Sequence, residues 1–133
     1  MNMNLFSHGD RYLMVDCGIT FEQGLADSQG RPAIQMPDPS FIASQRDSLD
    51  GLIITHAHED HFGAVPYLWQ ELQCPVYATP FAAAVLRKKA AWRRAPPPEP
   101  LIEVMPGDTH VIGQFSVTWL PITHSTPETC ALT

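Results

Sequence analysis

Cysteine is scarce: Cys17, Cys74 and Cys130 are odd in number and widely spaced, and none forms a CxxC pair. That argues against a disulfide framework and against a cysteine zinc site. Long apolar runs are missing as well. Nothing approaches the roughly 18–20 residues of a membrane span, so no membrane partner is expected. The start, MNMNLFSHGD, has no basic region ahead of a long apolar segment. No secretory signal is visible, and a cytoplasmic location is expected. Basic residues are few: 8 Lys and Arg against 14 Asp and Glu leave a net charge of −6. That balance makes no global case for nucleic-acid binding. No internal repeat is evident, and 133 residues allow one ordinary domain.

The few basic residues are unevenly placed. Five of the 8 (Arg87, Lys88, Lys89, Arg93 and Arg94) fall in RKKAAWRR, beside Trp92. The bland explanation is the solvated end of a helix. The functional one is a local phosphate-contacting patch with one aromatic that can stack on a base.

Along the chain, NMNLF and RYLMV flank the turn-like SHGD and read as a β-hairpin. Residues 20–40, rich in Gly, Pro, Asp and Gln, show no sustained period and read as a long ordered loop. FIASQRDSLD resembles a short helix with Ser40 as N-cap. GLIIT is a short apolar run of the kind found in a buried strand. From about Phe62 to Leu72 the apolar spacing becomes helical, with Pro66 tolerable only in the first turn. CPVYA reads as a strand, PFAAAVLRKKAAWRR as a helix, and LIEVM and HVIGQFSVTWLPIT as further strands, the last running into His124. Alternation in the middle with hairpins at the ends predicts an α/β or α+β layered domain.

One stretch demands an explanation. THAHEDH holds His56, His58, Glu59, Asp60 and His61 in six positions, on the loop between the GLIIT strand and the following helix. Such groups repel or desolvate one another unless a cation sits among them. A loop held between a strand and a helix is a usual mount for catalytic groups. Imidazoles and carboxylates without thiolates suit zinc, with manganese or iron as the other candidates. His56 and His58 can converge on one ion, while Asp60 and His61 project to the other side and serve a second. Glu59 between them is expected behind the ligands or facing solvent. His8 and His110 are expected as surface turn residues.

HxHxDH followed by glycine resembles the metallo-β-lactamase superfamily. The resemblance implies that His56 and His58, with His124 of LPITHSTPE, hold a first ion, and that Asp60 and His61 serve a second. It also implies that Asp16, closing the strand LMVDCG, orients the histidine motif as part of the catalytic machinery, and that Asp60 is both ligand and catalytic group. HEDHFGAVPYL, MPDPSFI, CPVYATPF and THSTPE together resemble ribonuclease J, of the β-CASP branch. That implies an αββα sandwich, two zinc ions (manganese being the alternative), RNA as partner, and hydrolysis of its phosphodiester bonds.

The family's first glycine-rich strand, bridging aspartate, β-CASP insertion and last metal histidine find no counterpart. Residues 1–133 are therefore expected to be a partial domain, the first half of the sandwich, with one ion bound more tightly than the other and an open apolar sheet face. The missing remainder of the fold, or a second copy, would be a further partner. Two alternatives share the motif: a hydrolase of a small ester, thioester or lactone, and a metal-binding chain without turnover.

Overall fold

The computed structural model describes residues 1–26, 29–30 and 32–133. The expected first hairpin is present. β1 (Asn4–His8) pairs antiparallel with β2 (Arg11–Val15), from Asn4 opposite Val15 to His8 opposite Arg11. Residues 20–40, expected as a loop, instead contain β3 (Thr20–Ala26) and β4 (Pro32–Gln35), paired antiparallel. The pair Phe21 and Ile34 lies opposite in register, yet the two side chains are 50% and 40% exposed. A ribbon that buries so little carries no alternation for the sequence to reveal.

Helix α1 spans Ser40–Ser44 and leads through a 3-10 turn into β5 (Leu49–Ile54). Ser40 is not the N-cap. It is the first helical residue, and the carboxylate of Asp38 accepts its backbone N–H at 2.9 Å. The next helix is divided into α2 (Glu59–Phe62) and α3 (Val65–Leu72), with Pro66 in the first turn of α3 as required. The division has a local cause. Ala64 N–H donates to the Cys17 carbonyl at 2.9 Å instead of continuing the α2 ladder. Then come β6 (Val76–Ala78), α4 (Pro80–Trp92), β7 (Leu101–Glu103), β8 (Thr109–Ile112), β9 (Phe115–Pro121) and β10 (Cys130–Leu132).

One sheet has the order β1-β2-β5-β6-β7, parallel except at the β1 edge; a second has the order β10-β9-β8 and is antiparallel. β5 is the central strand of the first sheet, and its alternating side chains build two cores. Leu52 and Ile54 join Phe62, Leu72 and Leu86 under the helices. Ile53 joins Leu13, Val117 and Trp119 between the sheets. All three β5 side chains are fully buried, as a strand covered on both faces requires. Burial of this kind contributes about 1.5–3 kcal/mol for each large aliphatic side chain.

The three-stranded sheet covers part of the inner face that the sequence left open. A groove of about 510 Å³ remains between Leu13, Val15 and Ile53 on one side and Phe115, Val117 and Leu132 on the other. All three cysteines are free and buried, and burial pushes the Cys17 and Cys74 thiols up to about 12. Among the described residues, no helix is long and apolar enough to cross a membrane.

Candidate metal centre

β5 ends at Ile54, and the chain then turns, so Thr55, His56 and His58 emerge at the C-terminal edge of the sheet. The loop after β9 brings His124 to the same place. That strand stops at Pro121, three residues earlier than the sequence suggests. The ring nitrogens of His56, His58 and His124 all lie within 4.8 Å of one another. His58 Nδ1 is central, 3.0 Å from His56 Nε2 and 3.2 Å from His124 Nε2.

The hydrogen bonds around the rings decide which nitrogens carry protons. Asp16 is almost fully buried and accepts four contacts: Thr55 N–H at 2.9 Å, Thr55 Oγ1 at 3.0 Å from each carboxylate oxygen, and His61 Nδ1 at 2.8 Å. His61 therefore carries its proton on Nδ1. The Thr55 hydroxyl gives its single proton to Asp16 and so must accept from His56 Nδ1, 2.9 Å away. One carboxylate thus sets two tautomers, directly for His61 and through Thr55 for His56. Ser125 Oγ lies 3.2 Å from His58 Nε2 and holds the ring so that Nδ1 faces the other two.

The lone pair of His56 Nε2 and His58 Nδ1 therefore face each other at 3.0 Å. A proton on His58 Nδ1 joins the two rings by a hydrogen bond, and a metal ion in its place would be held by both nitrogens. Tetrahedral ligands at 2.0–2.1 Å from zinc stand about 3.3 Å apart, close to the 3.0 and 3.2 Å on either side of His58 Nδ1. The donor set therefore fits a metal ion, with its hydrogen-bonded support behind the ligands already in place.

Asp60 and His61 lie beside this group rather than in it. His61 Nε2 is 3.4 Å from Asp60 Oδ2, and the His61 and His56 rings are 4.1 Å apart. The five predicted ligands are thus contiguous, in a set of three and a set of two. Asp16 makes its contacts from below, to Thr55 and His61.

Three residues escaped the sequence reading. Ser125 orients His58. Asn2 Nδ2 is 3.0 Å from the Asp60 carbonyl and 3.2 Å from His61 Nε2. Gly18 packs so tightly that an added Cβ would stand 1.8 Å from the Asp60 carbonyl oxygen. Only the sequence DCG, a glycine just after the strand-ending aspartate, gave any signal. Glu59 turns away from the rings and pairs with Lys89. His8 and His110 are corrections: neither lies in a turn. His8 ends exposed β1, and half-buried His110 in β8 has its ring 5.6 Å from that of Trp119.

The basic run is also divided by the fold. Arg87 pairs with Glu103 at 2.6 Å, and Lys89 with Glu59. Lys88 lies over the Trp92 ring at 5.1 Å, and the Arg93 guanidinium over the Tyr67 ring at 3.5 Å.

Burial, reinforced by the neighbouring His61, His58 and His124, lowers the His56 pKa from its ordinary 6.5 to about 4. Burial raises the Asp16 carboxyl, against its bonds to His61 and Thr55. The His56 shift fixes the sign of a pH effect on the metal-free protein. Below its ordinary pKa the unfolded chain takes up a proton that folded His56 refuses, so stability is lost as pH falls from about 6.5 toward 4. Thermal midpoints of metal-free protein should therefore fall between pH 7 and pH 5, with a shallower slope in His56→Gln. Parallel slopes in the two proteins would assign the effect elsewhere.

A family model described as the metallo-beta-lactamase superfamily matches residues 2–133. Among curated proteins, a ribonuclease J of Sinorhizobium meliloti is 41% identical over 138 residues, covering 99% of this chain and 24% of that protein. A ribonuclease J of Mycobacterium tuberculosis is 33% identical over 132 residues, covering 98% of this chain and 23% of that protein. The chain thus spans about a quarter of the length of these relatives. Among solved structures, the metallo-beta-lactamase fold protein YhfI from Bacillus subtilis superposes with a TM-score of 0.62 at 23% identity, over 97% of this chain and 47% of its own. A beta-lactamase from Chitinophaga pinensis does so with a TM-score of 0.66 at 16% identity, over 98% and 49%. These likenesses bear on the fold alone.

Proposed function

The chain belongs to the metallo-beta-lactamase superfamily, and on that premise we propose that it forms the metal-binding part of a ribonuclease J-like hydrolase of RNA phosphodiester bonds. The observation that carries the reading is the convergence of His56, His58 and His124, whose ring nitrogens face one another. The choice of RNA is supported by the names of the relatives.

In this reading His56, His58 and His124 hold the tighter ion, and Asp60 and His61 offer two ligands to a second, weaker one. Zinc suits the three nitrogens best, and manganese is the alternative. Such an ion supplies Lewis acidity, which activates water near neutral pH and offsets charge developing on phosphate oxygens. The protein's own residues prepare the site. Asp16 holds the two tautomers, Ser125 holds the third ring, and Asp60 orients the attacking nucleophile.

The groove between the sheets fits a further role for the rest of the sandwich, as does the coverage of about half of each solved relative. In this reading residues 1–133 are part of a larger domain, β-CASP and C-terminal regions lie outside them, and the location is cytoplasmic.

Elemental analysis of the purified intact protein tests the metal assignment, beside His124→Ala. At least one ion per chain is expected, with the tighter one lost in the variant. Hydrolysis of 5′-monophosphorylated RNA, abolished by a chelator, tests the activity. A folded protein with no metal would end the reading. Cleavage of small esters with RNA left intact would replace the substrate.

A further inference from the structure

We propose that the cleft between α3, the C-terminal end of α4 and the β3–β4 ribbon is a stacking site for one base of single-stranded RNA, whose flanking phosphates meet Lys88, Arg93 and Arg94. The inference deepens the proposed function and takes from it the choice of RNA as ligand.

The cleft has a volume of about 270 Å³, and its lining includes Phe21, Ile34, Tyr67, Trp92 and Arg93 beside the Glu59–Lys89 pair. It lies near the lower bound of small-ligand pockets, roughly 300 Å³, a size that suits one planar group. Its rim is unusual for a surface that serves only folding. Trp92 is 72% exposed and Phe21 50%, although neither packs into either core.

The charges are arranged to match. Arg87 and Lys89 are neutralised by Glu103 and Glu59. Among the described residues, no carboxylate pairs with Lys88, Arg93 or Arg94. In a chain of net charge −6, three uncompensated cations therefore gather at the end of one helix, around two aromatic rings. Arg93 already lies on Tyr67 and Lys88 on Trp92, so cation and π-face are held together before any ligand arrives. A positive groove carrying aromatic platforms is the general device for single-stranded nucleic acid. An acidic peptide would satisfy the cations but has no use for the exposed rings of Trp92 and Phe21.

Position adds a reason for the site to matter. Glu59 and Gly63, at the cleft wall, belong to the segment that carries Asp60 and His61. The cleft is therefore walled by the same short helix that carries Asp60 and His61.

The test is fluorescence anisotropy of a labelled ten-nucleotide oligoadenylate with the intact protein, in chelator so that nothing is cleaved. Trp92→Ala is expected to weaken binding about tenfold, and Trp92→Phe to restore most of it. The exposed position predicts an unchanged thermal midpoint in both. The double variant Arg93→Gln, Arg94→Gln is expected to reduce the salt slope of log K by about 1.4, two contacts at about 0.7 each.

No binding, or affinity and salt slope unchanged in every variant, would overturn the proposal. So would a Trp92-dependent preference for polyglutamate over the oligonucleotide. The readout is separate from hydrolysis. Trp92-dependent binding in a protein that cleaves no RNA keeps the site and removes the hydrolase. Cleavage with Trp92-independent binding does the reverse.

Discussion

Hydrolysis of 5′-monophosphorylated RNA should fall by roughly 10³-fold or more in His58→Ala, the loss expected when several kcal/mol of metal-derived transition-state stabilisation disappears. His58 is the residue to change because its Nδ1 faces both of the other rings, at 3.0 and 3.2 Å. Without it, His56 and His124 are left with no bridge, and two nitrogens do not retain an ion that three can hold. Metal content should fall with activity, and the fold should survive because His58 is only half-buried.

Two milder variants locate the cause. Ser125→Ala removes the partner of His58 Nε2, and Asp16→Asn turns one of the two oxygens that hold His61 and, through Thr55, His56 into an N–H donor. Changes behind the ligands of this kind cost about 10–100-fold in metal affinity or activity. Full activity in His58→Ala at wild-type metal content would remove this residue from the site.

The second large effect is on architecture. Gly18→Ala should destabilise the protein by more than about 4 kcal/mol, beyond the range of ordinary single substitutions. The added Cβ would stand 1.8 Å from Asp60 O, 2.0 Å from Asp60 C and 2.5 Å from His61 N, all backbone atoms without rotamers to escape into. Four hydrogen bonds hold this contact closed: Cys17 N–H to His61 O at 2.6 Å, Gly18 N–H to Asn2 O at 2.7 Å, and Ile19 N–H to Glu59 O and Ala64 N–H to Cys17 O at 2.9 Å each. The chain after β2 is laced to α2, and separating them displaces Asp60 and His61.

Urea denaturation of metal-free protein measures the loss, and elemental analysis shows whether the centre goes with it. Gly9→Ala is the control, because nothing lies within 4 Å of its Cβ position. Its φ of +61° should cost only about 1–2 kcal/mol. Equal effects at the two positions would mean that the close approach at Gly18 is not what holds the loop.

Where local pattern decides local structure, the sequence was informative. GLIIT is apolar enough to be a covered strand and its first four residues lie in β5, and the three- and four-residue spacing of Val65, Leu68 and Leu72 produced α3 as expected. The β3–β4 ribbon was hidden because Phe21 and Ile34 pair across strands without being buried. The split between α2 and α3 was hidden because it depends on a carbonyl 47 residues earlier in the chain, that of Cys17. The basic run RKKAAWRR could be seen but not divided, since the carboxylates that neutralise Arg87 and Lys89 come from other elements.

The sequence by itself determined the donor chemistry: imidazoles and carboxylates crowded on one strand-to-helix loop, a composition that only a cation makes tolerable. His124 and Asp16 were singled out by the family resemblance rather than by spacing. The tertiary structure decided which nitrogens face each other, that Asp16 governs His61 directly and His56 through Thr55, and that Asn2 and Gly18 hold the loop shut. The physical reason is range. Residue type and spacing fix what a few neighbouring residues can do, whereas a tautomer, a close approach or a spare charge depends on groups brought together from distant parts of the chain.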